Sequence, residues 1–311
     1  MHFPNILSPG RVAAAGGWTA VFGNARPLNF EVGIGSGEFL LALAAAHPDE
    51  NFVGLDLAAP FLRKAAKKAT QAATANVRFL ITDAKAALYE VFAHESLQAV
   101  YVNFPDPWPK KGHEKRRHFE PMFVALIEDR LAVGGVLYLA TDVEEYAEQA
   151  YAALRESEVL ENAYAKPWLN DRGWQHLHTR YEKKWIEAGK DLYYLAFRKT
   201  RALRTPRYGV ELISFEPLTV PIEVSAAAER LRKRVDTEGK FVVKTLQVKE
   251  RAAGAAVKLL LVDRETGFKT YLQTRWETKG ESAEVSLEHP DDVVWTEAKR
   301  RALVRSLEKL G

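Results

Sequence analysis

The chain has 311 residues, a formal net charge of +3 and no cysteine. This length is sufficient for one large core, or for a medium domain with a smaller one attached. The absence of cysteine excludes disulfides, Cys-ligated zinc, iron–sulfur clusters and thiol nucleophiles, and 47% hydrophobic with 27% charged residues is typical of a folded globular protein.

Short β-rich apolar segments alternate with helical patterns through the first two thirds of the chain. The predicted strands are residues 28–34, 51–57, 77–82, 99–104, 135–141 and 191–197, and helical spacing covers 38–46, 60–73 and 144–155. This alternation indicates right-handed β-α-β crossovers and a parallel sheet covered by helices on both faces. We therefore predict a doubly wound α/β domain over residues 1–205.

The alternation stops in the segment RALRTPRYGVELISFEPLTVP, where prolines, glycine and arginines follow no period. We predict a domain boundary there, between residues 205 and 206. The elements expected after it are a basic amphipathic helix near 225–235, strands near 241–248, 256–262 and 270–276, and a closing helix over 291–310. They predict a smaller α+β domain over residues 206–311.

A glycine-rich turn follows the first strand, in the sequence EVGIGSGE from Glu31 to Glu38. Glycine permits positive φ and lets the backbone approach a ligand closely. Asp56 ends the second strand, where a carboxylate can accept hydrogen bonds from both ribose hydroxyls. Asp83 ends the third strand and can accept from an adenine amino group. Three acids at successive strand ends predict a nucleoside-type cofactor site.

The glycine spacing distinguishes between cofactors. A dinucleotide site needs G-x-G-x-x-G to place a diphosphate on a helix N-terminus, whereas this turn reads G-x-G-x-G and continues with the anionic Glu38. Glu31 can instead hold the ammonium of a methionine moiety. We predict S-adenosyl-L-methionine as the cofactor, with Gly33 and Gly35 lining its site. The alternative is a tight connection whose acids face water.

The fourth strand runs into PDPWPKKGHEKRRH, residues 105–118. Prolines on both sides of Asp106 restrict the backbone, so that a stiff loop presents this carboxylate beside the cofactor. The cations that follow suit the phosphates of a nucleic acid. The alternatives are a solvated basic loop and a turn role for Asp106.

Four segments, FEVGIGSGEF, NFPDPWPKKGHEKRRH, LATDVEEYAE and HTRYEKKWIEAGKDLYYLAF, resemble the bacterial tRNA (guanine-N7-)-methyltransferases in order and spacing. The resemblance covers residues 1 to about 200 and implies a Rossmann-like class I methyltransferase fold and methylation of guanosine 46 in the tRNA variable loop. It implies that S-adenosylmethionine is bound by Glu31, Asp56, Asp83 and Asp106. It implies substrate contacts from Lys110, Asp142, Thr179 and Glu182, with His113 and Arg116 lining the site.

Two features depart from the family pattern. Asn103 occupies a place where many members carry an aromatic or aliphatic residue, and the region after Arg207 has no counterpart in short family members.

The target atom defines the chemistry. Guanine N7 has a lone pair and no proton, so an in-line displacement needs no general base and depends on alignment. Asp106 is the predicted catalytic residue, because a fixed carboxylate can stabilise the charge that develops on the purine. A second carboxylate, Glu182 or Asp142, could accept from N1–H and N2–H of guanine. No metal is predicted, since no histidine–carboxylate cluster has ligand spacing.

Three other functions are compatible with parts of the sequence. NFPDPW resembles the (D/N)-P-P-(Y/W) loop of amino-methyltransferases, but the HEKRR and TRYE segments favour N7. A non-enzymatic RNA-binding protein would have no reason to keep Glu31, Asp83 and Asp106, and a nicotinamide dehydrogenase conflicts with the glycine spacing. The sequence has no membrane-length apolar run, so we expect a cytoplasmic protein, as either a monomer or a homodimer.

The basic excess lies in the last third of the chain. Residues 201–311 hold 21 Lys and Arg against 17 Asp and Glu, whereas residues 1–200 hold 23 against 24. Strand alternation would place Lys258, Lys269, Tyr271 and Arg275 on one open face, which suits RNA. Our hypothesis is auxiliary tRNA binding by this domain, and the alternative is an ordinary solvated sheet face.

Overall fold

The computed structural model describes residues 3–105, 119–170, 179–205, 215–252, 254–289 and 292–310. The chain divides into two compact units, residues 1–209 and 210–311, against a predicted boundary between 205 and 206. The first unit contains an eight-stranded sheet and the second a six-stranded sheet. None of the described helices is both long and apolar enough to cross a bilayer.

The first unit is a doubly wound α/β fold, as predicted. Its strands are β1 (Ile6–Leu7), β2 (Leu28–Val32), β3 (Asn51–Leu55), β4 (Val77–Leu80), β5 (Leu97–Asn103), β6 (Leu131–Thr141), β7 (Leu160–Asn162) and β8 (Tyr193–Lys199). Its helices are α1 (Pro9–Ala14), α2 (Trp18–Phe22), α3 (Glu38–Ala46), α4 (Ala59–Gln71), α5 (Ala84–Glu90), α6 (Pro121–Arg130), α7 (Glu144–Arg155) and α8 (Arg180–Glu187). The strand order is β1-β4-β3-β2-β5-β6-β8-β7.

Strand direction differs from the prediction in one place. Neighbouring strands from β1 to β6 are parallel, but β8 is antiparallel to β6, and β7 is antiparallel to β8. The expectation that the 191–197 strand extends a parallel sheet is therefore wrong. Because β7 runs in the same direction as β6 and β8 runs opposite to both, β8 begins at the edge where the parallel strands end. We call this edge the carboxyl edge.

The centre of the sheet is fully covered, because every residue of β2 and β3 is buried. Helices α3 and α4 bury Leu40, Leu62 and Ala66 in a core with Phe52. A Cβ added at Gly54 would lie 2.5 Å from the Leu40 side chain, so α3 packs against β3 at a distance that only glycine permits. This contact brings the start of α3 over the carboxyl edge.

The second unit has the predicted α+β architecture. Its elements are β9 (Leu218–Val220), α9 (Val224–Leu231), β10 (Val235–Glu238), β11 (Phe241–Arg251), β12 (Gly254–Asp263), β13 (Lys269–Lys279), β14 (Ser282–Leu287) and α10 (Glu297–Glu308). Paired strands are antiparallel in the order β10-β11-β12-β13-β14-β9. Both helices pack on the sheet, around a core that contains Leu259, Trp276, Leu303 and Leu307. Side chains at alternate positions of the strands face away from this core.

Candidate active site

The acids singled out from the sequence meet along the carboxyl edge. Glu31 lies in β2, Asp56 directly follows β3, and Asp83 comes shortly after β4. Asn103 is the last residue of β5, and Asp142 directly follows β6. Because β2 pairs with both β3 and β5, Glu31 lies at the centre of this row.

Glu31 is a buried carboxyl group with one unsatisfied oxygen. The side chain is 2% exposed, and Oε1 accepts a hydrogen bond from Asn103 Nδ2 at 3.1 Å. Oε2 is equally buried and makes no hydrogen bond of normal geometry to a described residue. Burial raises the pKa of Glu31 to about 8, against the opposing effect of the Asn103 hydrogen bond. A cation placed at Oε2 would satisfy this atom and favour the ionised carboxylate.

The glycine-rich turn is held against the protein on one side and open on the other. Gly33, Gly35 and Gly37 all have positive φ, at 73°, 52° and 77°. A Cβ at Gly37 would lie 2.7 Å from Cβ of Ala65, so this glycine seats the turn on α4. A Cβ at Gly33 or Gly35 would meet no protein atom within 4 Å. The backbone at these two positions therefore borders open space beside Glu31.

Asp56 fixes the turn in place through the backbone. Its Oδ2 accepts from the Gly35 N–H at 3.0 Å, and its Oδ1 accepts from the Ala58 N–H at 2.8 Å. A carboxylate oxygen has two lone pairs, so each keeps capacity for one further donor. Asp56 can thus position the turn and accept ligand hydroxyls at the same time.

Lys68 is a residue of this site that the sequence did not reveal. Its Nζ donates to the Ser36 carbonyl at 3.1 Å and to Glu38 Oε1 at 2.5 Å. Partial burial would raise the pKa of Glu38, but hydrogen bonds from Lys68 and Ser36 outweigh it and lower this pKa. Glu38 is therefore an anion directed towards α4, and this pair holds the turn at the start of α3.

Asp83 caps a helix at the next strand end. Its Oδ1 accepts from the N–H groups of Lys85 and Ala86 at 3.0 and 3.3 Å, which fixes the start of α5. Exposed apolar side chains lie nearby: Leu57 follows Asp56 and is 70% exposed, and Ile81 is 37% exposed. Both come just after a paired position of β3 and β4. They offer an apolar surface between two carboxylates, which the sequence analysis missed.

Thr179 and Glu182 form a reciprocal cap at the start of α8. Thr179 Oγ1 accepts from the Glu182 N–H at 3.0 Å, and Glu182 Oε2 accepts from the Thr179 N–H at 3.1 Å. Glu182 is 5% exposed, and its Oε1 accepts from the Tyr194 hydroxyl at 2.8 Å. Oε2 of Glu182 thus caps α8, and Oε1 anchors this helix to β8.

Asp142 presents a more accessible carboxylate near the same edge. Its side chain is 20% exposed, and Oδ2 lies 3.4 Å from Lys190 Nζ. Lys190 Nζ also sits 3.5 Å from the centroid of the Trp185 ring. Asp142 is therefore held by one long ion pair and keeps room for another donor.

The backbone changes direction sharply where β5 ends. Phe104 has a φ of 47°, and its N–H donates to the Ala140 carbonyl at 2.7 Å. A positive φ is strained for an aromatic residue and is found mostly where function requires it. This strain lies two positions before Asp106. Asp106, Lys110, His113 and Arg116 lie outside the described residues.

Comparison with known proteins identifies the family. A family model described as "Putative methyltransferase" matches residues 25–195. A protein of Geobacter metallireducens named tRNA (guanine-N(7)-)-methyltransferase is 35% identical over 198 residues, which cover 63% of this chain and 93% of that protein. The chain belongs to this family.

Other members of the tRNA (guanine-N7-)-methyltransferase family match a smaller share of their own length. The Cutibacterium acnes protein of this name is 37% identical over 181 residues, 58% of this chain and 66% of that protein. The Thermotoga maritima protein is 36% identical over 185 residues, 59% of this chain and 58% of that protein. The chain thus spans less than two thirds of both relatives.

The predicted site residues that the structure describes fall into two groups along the carboxyl edge. One group surrounds the glycine-rich turn at β2–β4 and comprises Glu31, Gly33, Gly35, Asp56 and Asp83. The other lies at β6 and β8 and comprises Asp142, Thr179 and Glu182. Asn103 and Phe104 lie between the groups. Within the described parts of the chain, no cluster of histidines and carboxylates could hold a metal ion.

Proposed function

We propose that the protein transfers a methyl group from S-adenosyl-L-methionine to N7 of guanosine 46 in the variable loop of tRNA. The observation that supports this best is Glu31, whose buried Oε2 makes no hydrogen bond of normal geometry to a described residue and lies beside an open glycine-lined turn. A buried polar atom without a partner costs free energy, so the site favours a ligand with a donor there. The ammonium of a methionine moiety is such a donor, and it carries the charge that an acid prefers.

The neighbouring residues suit the rest of this cofactor. Asp56 has lone pairs available for the two ribose hydroxyls, and Oδ2 of Asp83, which the helix cap does not use, could accept from the adenine amino group. Leu57 and Ile81 offer apolar contacts to the faces of the adenine ring. S-adenosylmethionine, when bound, supplies an electrophilic methyl group on a sulfonium.

The chemical step requires alignment rather than proton transfer. The lone pair of guanine N7 forms the new N–C bond while the S–C bond breaks, and the electron pair of that bond stays on sulfur. Positive charge moves from the sulfonium to the purine, and no proton is removed from N7. Asp106, two residues after the strained Phe104, is our proposed catalytic residue, which stabilises the charge on the purine.

Recognition of the guanine edge is assigned to Asp142. This edge of guanine presents two donors, N1–H and N2–H, and the corresponding edge of adenine does not carry this pair of donors. Glu182 is only 5% exposed and its oxygens hold Tyr194 and Thr179, whereas the Asp142 side chain is 20% exposed and makes a single long contact to Lys190. A carboxylate at Asp142 can therefore accept from guanine without releasing a helix cap. Lys110, His113, Arg116, Thr179 and Glu182 remain proposed substrate contacts on the strength of the family resemblance.

The test uses labelled S-adenosylmethionine and unmodified tRNA transcripts that carry guanosine or adenosine at position 46. Borohydride–aniline cleavage then locates the product. Label and cleavage confined to guanosine 46 are expected. Label at another nucleotide would overturn the position or the N7 assignment, and binding of tRNA without label would favour a non-enzymatic RNA-binding protein.

Two variants separate substrate recognition from general damage. Asp142→Asn should lower kcat/KM for tRNA by about tenfold to a hundredfold, because the amide replaces an acceptor for two donors. Asp191→Asn is the matched control, since this exposed carboxylate directly follows Lys190, the ion-pair partner of Asp142, and makes no proposed contact. Equal rates for both variants would remove Asp142 from the site.

A further inference from the structure

We propose that the outward face of the six-stranded sheet in the second unit binds the phosphate backbone of RNA. This inference rests on the proposed function, because tRNA is the RNA that the protein would meet. The area concerned lies on β11, β12 and β13, opposite the face covered by α9 and α10. We call it the basic face, and its cations are Lys244, Lys249, Lys258, Lys269 and Arg275.

Strand register places these cations on one surface. Lys258 is opposite Gln247 on β11 and Gln273 on β13, and all three point away from the helices. Ala256 lies between Lys249 and Arg275 in the neighbouring row. Strands are spaced about 4.8 Å apart, so cations two strands apart are separated by roughly 10 Å. This register confirms the prediction that one face is shared by Lys258, Lys269, Tyr271 and Arg275.

The buried positions confirm the orientation. Leu259, Leu261 and Leu272 belong to the core of the second unit, whereas Lys258 and Tyr271, next to them in sequence, are exposed. Tyr271 is 65% exposed, near the middle of the face. The face thus combines cations with an aromatic ring on which an unpaired base can stack.

Acidic residues are excluded from the centre of this surface. The outward positions of β11 from 242 to 249, of β12, and of β13 from 269 to 275 contain five cations and no Asp or Glu. The outward acids of the described part of this sheet lie outside these positions: Glu284 pairs with Lys279 at 3.7 Å, and Glu277 ends the row. Glu288, whose N–H donates to the Gln273 carbonyl, pairs with Arg251 at 3.8 Å. Glu250 turns to the helix side and pairs with Arg232 at 2.5 Å.

The five cations are uncompensated within the described structure. Other cations of the unit have acidic partners, such as Lys240, whose Nζ lies 3.1 Å from Asp263. No ion pair joins the cations of the basic face to a described acid. Unpaired cations of one sign on a flat surface repel each other, and a polyanion relieves this repulsion. A protein partner would need a matching acidic surface, so the polyphosphate backbone of RNA is the simpler complement.

The experiment measures binding of an unmodified tRNA transcript to the full-length chain over a series of salt concentrations. The test variant combines Lys249→Ala, Lys258→Ala and Arg275→Ala. The control variant combines Arg300→Ala, Arg301→Ala and Arg305→Ala on α10, which removes the same charge from the same unit. Binding of S-adenosylmethionine to each variant verifies that the first unit is intact.

Loss of three phosphate contacts should reduce the slope of log K against log salt by about 2 to 3 and weaken binding about tenfold or more near 0.1 M salt. The control should retain the wild-type slope. An unchanged slope in the test variant, or an equal loss in the control, would overturn the inference. Methyl transfer measured in parallel keeps the two proposals apart. Slope loss without any methylation by the wild type would refute the proposed function and support the basic face.

Discussion

Replacement of Glu31 by glutamine tests the buried carboxyl group directly. The pKa of this group is raised from 4.5 to about 8, chiefly by burial. The folded state therefore binds the proton more tightly than the unfolded state, and this contribution to stability is full below pH 4.5 and lost as pH rises to about 8. At about 1.4 kcal/mol per pH unit, the loss is about 3 kcal/mol at pH 7. Glutamine keeps the shape and stays neutral, so Glu31→Gln should recover most of this amount.

Scanning calorimetry is the suitable assay, because two units can unfold in separate transitions. The melting temperature of the variant should match the wild type near pH 4.5 and exceed it by about 6–12 °C at pH 7, for a unit of this size. Affinity for S-adenosylmethionine should fall about tenfold to a hundredfold, because glutamine cannot pair with the ammonium.

Glu38→Gln is the matched control for this pH dependence. The pKa of Glu38 is lowered rather than raised, and its carboxylate is about half exposed, so its replacement should not stabilise the protein at pH 7. A constant difference between Glu31→Gln and the wild type at every pH would refute the reasoning about burial.

Three further predictions concern the turn and α8. Lys68→Met should weaken cofactor binding several-fold, as measured by calorimetric titration. It should change the free energy of unfolding by less than about 1 kcal/mol in a melting experiment, because the Lys68–Glu38 ion pair is partly exposed. Gly37→Ala should destabilise the first unit by about 2 kcal/mol or more, since the methyl would lie 2.7 Å from an α4 side chain. Gly23→Ala, also at positive φ but in open space, should cost less, and equal melting shifts would contradict the packing argument. Glu182→Ala should destabilise α8 by about 1–2 kcal/mol, because it removes the acceptor for the Thr179 N–H, and faster amide exchange in α8 would reveal this loss. Asp142→Ala should leave exchange there unchanged.

Elements with strong periodicity could be predicted from the sequence. The bounds of α3 and α7 match the predicted 38–46 and 144–155, because their apolar positions recur at helical spacing between clear breaks. Helix α6 was not predicted, since it ends in Glu128-Asp129-Arg130, which has the composition of a surface loop. These three residues are buried, and Arg130 Nε donates to the Leu88 carbonyl at 2.6 Å. Tertiary partners of this kind leave no signal in local sequence.

The site residues also divide into those with a signal in the local sequence and those that depend on tertiary contacts. Glu31, Asp56 and Asp83 could be placed at one edge because parallel strand ends converge. The cap of Thr179 and Glu182 also had a local signal, the T-x-x-E spacing, but the sequence analysis considered these residues only as substrate contacts implied by the family resemblance. Engagement of Glu182 by Tyr194 and the clamp of Lys68 on the turn depend on contacts between residues far apart in the chain, so periodicity could not reveal them.

The antiparallel direction of β8 also has a consequence for how such proteins diverge. The chain leaves β7 at the carboxyl edge and enters β8 from that same edge. The connection therefore starts and ends on one side of the sheet, so insertions, deletions or replacements in it require no change in a crossover. The strand ends that carry Glu31, Asp56 and Asp83 have no such freedom, because each is tied to a helix that must cross the sheet. Sequence changes can therefore accumulate in the connection between β7 and β8 while the ends of β2, β3 and β4 stay constant.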